Sequence, residues 1–337
     1  MGVLLWDRSG SLKYIARVRY VNPSRAGGLA LLIRRARPAA NAAPPPPGRR
    51  LVHPSLMDTD RIIPLLFGVP RAVIGMLHVG PLPGSPRHRQ AALDPQADSW
   101  DDKIAAAVDQ AAVYHAAGFH GLILENMFDR PYLRGSVGPE TVAAMAVIGR
   151  EVRRAVPLPL GVQVLAAANE EAVAVALACG AAFVRVEGFV FAHVADEGFV
   201  EADAGPLLRY RAAIGADHVR IFADVKKKHS SHSITADLDI AETARAAEFA
   251  LADGVIVTGA ATGRPADPAE VTAVAAAVGI PTLVGSGVTA DNIASFAAAD
   301  GLIVGSAVKQ RGDWRLPLDR DAVGRLAAAF HATRGRS

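Results

Sequence analysis

The chain has 337 residues, 51% of them hydrophobic and 20% charged, as expected of a soluble globular protein with a sizeable core. Its net charge of +3 is unevenly placed: residues 1–56 hold ten Lys or Arg and one acid, Asp7, leaving 26 basic against 32 acidic residues in the remainder. An acidic remainder argues against a nucleic-acid-binding face. The single cysteine excludes an intrachain disulfide and fits a reducing, cytoplasmic setting, and no apolar run approaches the ~18 residues of a membrane helix.

Residues 1–56 read as a leader. They contain Arg34-Arg35, a Pro44–Pro47 run and no sustained periodicity, and they lack an apolar segment placed for a secretory signal. The composition is compatible with a targeting peptide, but an over-extended gene start with Met57 as initiator is the preferred reading. On either reading the leader is disordered or non-native, and the folded domain is 57–337.

From Met57 onward short β-rich runs alternate with Ala-rich helical patterns, the signature of βα units in a parallel sheet. The first run is Ala72–His78, followed by a Pro/Gly loop through Pro86 and a helix predicted from about Trp100 to Ala117. Run two, Leu122–Asn126, leads to a helix opening on Pro139, a favourable first helical residue. Run three, Leu160–Leu165, precedes a helix over Asn169–Cys179 that Gly180 ends. Cys179 at that apolar helix end reads as a buried structural thiol. Run four, Phe183–Gly188, has a long connection to a helix near Pro206–Ile214. Run five, Arg220–Val225, passes through Lys226-Lys227-Lys228-His229 to a helix over Leu238–Leu251. Run six, Val255–Gly259, precedes a helix over Asp267–Val278.

Runs seven and eight are Thr282–Val284 and Leu302–Val304, with a helix between them carrying Asp291-Asn292 in its first turn, and a last helix spans Asp319–His331. Ala252-Asp253-Gly254 before run six is echoed by Ala299-Asp300-Gly301 before run eight. Eight strands and eight helices in about 280 residues predict an α/β, (β/α)8 TIM barrel. An open doubly wound sheet would need a Gly-x-Gly-x-x-Gly turn after run one, which is absent.

Runs seven and eight end in Gly285-Ser286-Gly287 and Gly305-Ser306. Glycine lets backbone N–H groups approach a ligand, and a following helix N-terminus favours anions, so these five residues predict a phosphate cup. The other strands also finish on polar residues: His78, Glu125 with Asn126, Gln163, Arg185 with Glu187, Asp224 with Lys228 and His229, and Thr258. Together they predict a polar bowl in which His78, Asn126, Gln163, Arg185, Glu187 and Thr258 bind substrate. Strand parity places Arg185 with Glu187, and Phe222 with Asp224, on shared faces; Arg185 and Glu187 read equally well as an ion pair bracing the mouth.

Asp224, Lys228, His229 and Glu125 are the catalytic candidates, because a carboxylate, an amine and an imidazole can divide acid and base work. Lys228 is also placed to form a Schiff base. The contrary reading of Lys226–His229 is a solvated basic loop. His78, Glu125, Asp224 and His229 could converge on a divalent metal, although no close-spaced ligand motif is present. His115, His120 and His218 fall on helices or helix–strand turns and read as structural. Tyr132 could stack on a sugar or base, or simply pack.

Met76-Leu77-His78 with Pro81–Pro86, Glu125–Tyr132, Gly161–Leu165, Leu208–Arg211, Phe222–Val225, Lys228-His229, Val257–Gly259 with Thr262-Gly263, and Gly285–Val288 together resemble the BtpA/SgcQ family over Arg71 to Trp314. The resemblance implies a ribulose-phosphate-binding-type barrel. It also implies a link to photosystem I accumulation in cyanobacterial members and to sugar metabolism in a member from a sugar-transport gene cluster. The chain departs from the family with Arg185-Val186-Glu187, where Arg-Val-Asn is usual, and with Lys226-Lys227 before Lys228-His229. Two functions are carried forward. One is an isomerase, epimerase or aldolase-type lyase acting on a phosphorylated metabolite, as a monomer or homo-oligomer. The other is a non-catalytic biogenesis factor for photosystem I or another membrane complex.

Overall fold

Eight short, almost wholly apolar strands form the centre, which is the pattern of a parallel sheet buried on both faces. They are β1 (Ala72–His78), β2 (Gly121–Glu125), β3 (Leu160–Gln163), β4 (Phe183–Val186), β5 (Arg220–Val225), β6 (Gly254–Val257), β7 (Thr282–Val284) and β8 (Gly301–Val304). Every neighbouring pair is parallel, and β8 pairs with β1 to close the barrel. The computed structural model describes residues 2–6, 12–17, 62–91, 99–259 and 262–334.

The outer ring consists of α1 (Trp100–Ala116), α2 (Pro139–Ala155), α3 (Asn169–Cys179), α4 (Ala204–Ala213), α5 (Ile240–Phe249), α6 (Pro268–Ala277) and α7 (Arg320–Arg334). Ser99 with Asp102 caps α1, and Asp239 with Glu242 caps α5, each as a reciprocal capping box. Gly180 ends α3 at φ 76°, as its position in the sequence implies. Cys179 is buried and free, and burial raises its thiol pKa. The seventh helix differs from expectation. Between β7 and β8 only a single 3-10 turn forms, Ile293–Phe296. Asn292 folds back instead, its Oδ1 accepting from Thr289 N at 2.8 Å and its Nδ2 donating to Gly287 O at 2.8 Å.

Ile74, Met76, Ile123, Phe183, Phe222, Ile256, Leu283 and Ile303 fill the barrel interior. A short helix ahead of β1, Ile62–Phe67, adds Ile62, Ile63 and Phe67 to that cluster and floors the barrel. The Phe67 ring meets Phe183 edge-on at 5.6 Å. Gly121 is required there, since a Cβ would lie 2.5 Å from Phe67. Nothing in the sequence reading anticipated this helix.

The Ala-Asp-Gly echo has a structural meaning. Asp253 before β6 accepts from Ile221 N in β5 at 2.9 Å, and Asp300 before β8 accepts from Thr282 N in β7 at 2.9 Å. Each aspartate ties down the start of the preceding strand.

By its contacts the chain divides into Met1–His53 and Pro54–Ser337. In the first unit Gly2–Trp6 and Leu12–Arg17 pair as an antiparallel hairpin, a regular element that the sequence reading did not assign. Arg34-Arg35, Pro44–Pro47 and Met57 lie outside the described residues.

Candidate active site

Parity along the strands carries the apolar interior into a polar layer at the carboxyl ends. His78, Glu125 and Gln163 stand in register on β1, β2 and β3. All are shielded from solvent, and His78 Nε2 lies 3.5 Å from Glu125 Oε2. Burial, aided by the charges of Lys309 and Lys228, lowers the His78 pKa from 6.5 to about 3, so the ring is neutral. Burial raises the Glu125 pKa, against the opposing pull of Lys228 and Arg185. The contact is therefore between a neutral imidazole and a carboxyl shifted toward its acid form, not a full ion pair.

Across the barrel, Arg185 and Asp224 are locked together. Arg185 Nε donates to Asp224 Oδ1 and Nη2 to Oδ2, both at 2.9 Å, with side chains 3% and 1% exposed. Arg185 and Glu187 do not pair as a brace. Glu187 Oε2 instead accepts from Ala167 N at 3.1 Å and lies 3.4 Å from Lys227 Nζ. A solvated basic loop is also not what forms: Lys227 is buried, and Lys226 Nζ donates to Leu238 O. His229, in contrast, is exposed and bonds through Nε2 to Thr262 Oγ1 at 2.9 Å.

The glycines and serines after β7 and β8 line one small cavity of about 40 Å³ together with His78, Glu125, Arg185 and Lys228. All five cup residues, Gly285, Ser286, Gly287, Gly305 and Ser306, are in its wall. Space demands a glycine at positions 285 and 287. A Cβ on Gly285 would lie 2.5 Å from Ile256, and one on Gly287, at φ 67°, would lie 2.2 Å from the Pro265 backbone. Ser286 Oγ is already engaged, accepting from Gly259 N at 2.7 Å and donating to Arg264 O at 3.0 Å. The helix dipole expected after β7 is missing, because a four-residue 3-10 turn stands there. The positive charge of this cavity comes from Arg185 and Lys228.

A larger cleft of about 270 Å³ opens beside the cup and shares Glu125, Met127, Lys228 and Thr262 with it. Gln163, Glu187 and His229 line this cleft, as does Tyr132, whose hydroxyl donates to Met127 O at 2.8 Å. Gln163 Oε1 and Glu197 Oε2 are buried and have no hydrogen-bond partner among the described residues. Two residues expected to bind substrate are turned to the scaffold. Asn126 Oδ1 accepts from Leu165 N at 2.8 Å, and Thr258 Oγ1 accepts from Lys228 N at 3.1 Å.

A shared metal site of His78, Glu125, Asp224 and His229 does not form. Arg185 occupies both Asp224 oxygens, and His229 faces outward. Among the described residues no group of three His, Cys, Asp or Glu side chains is placed to hold an ion. His120 has the structural part expected, accepting from Val73 N at 3.2 Å.

Several lining groups escaped the sequence reading. A hairpin of His193–Ala195 and Gly198–Val200, extended by Ser230–Ser231, brings Asp196 and Glu197 to the cleft. Trp314, after β8, lies under the Arg130 guanidinium at 4.6 Å and against Phe128 at 5.1 Å. A lone tryptophan in a polar loop was the available signal.

Residues 69–332 match the BtpA family. The chain belongs to the BtpA family. An uncharacterised mitochondrial protein of Caenorhabditis elegans is 42% identical over 286 residues, 82% of this chain and 96% of the relative. The photosystem I biogenesis protein BtpA of Synechocystis is 36% identical over 259 residues, 75% of this chain and 85% of the relative. A tryptophan synthase structure from Mycobacterium tuberculosis superposes with TM-score 0.50 and 19% identity, covering 81% of this chain and 98% of that one. At that identity the likeness shows the barrel fold alone. In this BtpA family chain no described helix is long and apolar enough to cross a membrane.

Proposed function

We propose that this BtpA family barrel is a cytoplasmic enzyme that isomerises, epimerises or cleaves a phosphorylated sugar or related phosphorylated metabolite. The observation that carries the reading is the glycine-lined cavity into which Arg185, Lys228 and Glu125 all project. A phosphate seated against Gly285–Gly287 and Gly305-Ser306 would meet two cations, and the rest of the ligand would extend past Glu125 into the cleft. Glu125, its pKa raised by burial, suits proton transfer. His78 orients it, and Asp224 aims Arg185 rather than acting as a free base. His229 contacts the outer end of a ligand.

Ligand-induced thermal shifts test this. Inorganic phosphate and sugar phosphates should raise the melting temperature by mass action, and Arg185→Met should abolish the effect. If no phosphate ester shifts the wild-type protein, the reading fails.

A second reading, a non-catalytic factor for photosystem I or another membrane complex, is supported by the identity to the Synechocystis biogenesis protein. It expects a Glu125→Gln chain to complement a strain lacking that relative as fully as wild type does. The enzymatic reading expects complementation to be lost.

A further inference from the structure

We propose that Lys228 is an imine-forming nucleophile, and that the substrate is therefore a phosphorylated ketone or aldehyde in its open-chain form. The inference rests on the phosphate-cup reading above and narrows it to a carbonyl compound.

Position comes first. Lys228 is one of four residues that line both the cup and the adjoining cleft. A ligand with its phosphate in the cup and its body in the cleft must run its carbon chain past this side chain. The main chain there is anchored, since Lys228 N donates to Thr258 Oγ1 on the neighbouring strand end at 3.1 Å.

The partners of the other lysines supply the second argument. Lys226 Nζ donates to Leu238 O, Lys227 Nζ lies 3.4 Å from Glu187 Oε2, and Lys309 Nζ donates to Gln110 Oε1 at 2.6 Å. Two nearby carboxylates are committed elsewhere, Asp224 to Arg185 and Glu187 to Lys227, and the third, Glu125, lies against His78. The Lys228 amine has no hydrogen-bond or ion-pair partner among the described residues. A lysine with only a bracing role would have been paired. Desolvation, followed by repulsion from Arg185, lowers the Lys228 pKa and enlarges the neutral, nucleophilic fraction. Glu125 lines the same two cavities and is shifted the opposite way, toward a proton-bearing acid.

The step then balances. The neutral amine attacks the carbonyl carbon, forming an N–C bond, while the C=O π pair moves to oxygen and takes a proton from Glu125. The attacking nitrogen gives up one proton, returned to the Glu125 carboxylate. The carbinolamine hydroxyl takes that proton again and leaves as water, giving a protonated imine. The imine can then accept the electron pair of an adjacent C–H or C–C bond as an enamine.

The experiment is reductive trapping on the full chain. Protein is incubated with dihydroxyacetone phosphate and sodium borohydride, and modified lysines are mapped by peptide mass spectrometry. Lys228 should be labelled at least about tenfold more than Lys226 or Lys227. Excess inorganic phosphate should suppress the labelling, and dihydroxyacetone without phosphate should give little. Lys228→Arg keeps the charge and should still bind inorganic phosphate by calorimetry while losing the adduct; Lys228→Met controls for background. Phosphate binding without selective labelling would overturn the imine and leave the cup standing. Absence of both would overturn the cup reading as well. Labelling of Lys228 that inorganic phosphate does not suppress would overturn the assigned substrate class.

Discussion

Replacing Asp224 with Asn tests whether this carboxylate is a structural clamp for Arg185. The substitution keeps the shape but removes the charge from a pair bonded twice at 2.9 Å, with both side chains nearly inaccessible. The guanidinium would be left buried and uncompensated, which costs about 3–5 kcal/mol. At about 2–4 °C per kcal/mol for a chain approaching this size, the melting temperature should fall by roughly 6–20 °C. Urea denaturation followed by circular dichroism should show the same loss as a lower midpoint at unchanged slope. The double variant Arg185→Met, Asp224→Leu provides the internal control. With neither charge left to desolvate, it should recover most of that loss or exceed wild type by ~1–4 kcal/mol, while failing to bind phosphate. A single variant within ~1 kcal/mol of wild type, or a double variant no better than the single, would falsify the clamp.

His78 should make stability pH-dependent. Its folded pKa of about 3 lies below the ordinary 6.5, so below pH 6.5 the unfolded chain takes up a proton that the folded chain refuses. That contribution is complete above pH 6.5 and drains as pH falls toward 3, reaching roughly 4–5 kcal/mol. Denaturation midpoints at pH 7 and 4.5 should diverge less in His78→Gln than in wild type; equal divergence would remove His78 from the account. Gly287→Ala and Gly312→Ala both place a side chain at positive φ, but only the first meets backbone, at 2.2 Å, whereas the second has nothing within 4 Å. The first should cost ~1–3 kcal/mol more than the second and abolish the phosphate-induced thermal shift, a difference read from paired melts. Lys228→Met should raise stability by about 1 kcal/mol while eliminating turnover, because it removes a desolvated charge that makes no hydrogen bond or ion pair among the described residues. A destabilised Lys228→Met protein would mean the amine has a structural partner.

The barrel was legible because each strand is a short apolar run ending in a polar residue, and a parallel sheet covered on both faces permits little else. Parity put Phe222 and Asp224 on one face, with the ring in the interior and the carboxylate above it, since alternation along a strand is geometric. Partner choice was not legible. Asp224 stands four residues from Lys228 in sequence and reads as its companion, yet it bonds Arg185, 39 residues away on the adjacent strand. Lys226, Lys227 and Lys228 look like one solvated run, but the turn after β5 sends them to a carbonyl, a glutamate and the cavity respectively. The short turn after β7 was misread as a helix because Asp291-Asn292 looks like a first turn. The segment instead makes one 3-10 turn, Ile293–Phe296, before reaching Asp300, the aspartate that ties down β7.

The Ile62–Phe67 floor gives the barrel a direction. It closes the end opposite the cup, so any ligand and the water it displaces share one doorway, and a bulky molecule at the Trp314 rim would block entry and exit alike. It also separates the family match from the folding unit. The family match begins at residue 69, beyond this helix. A chain trimmed to that boundary would bare the surface that Ile62, Ile63 and Phe67 bury, about 5–9 kcal/mol of apolar burial, comparable with the entire stability of an ordinary domain.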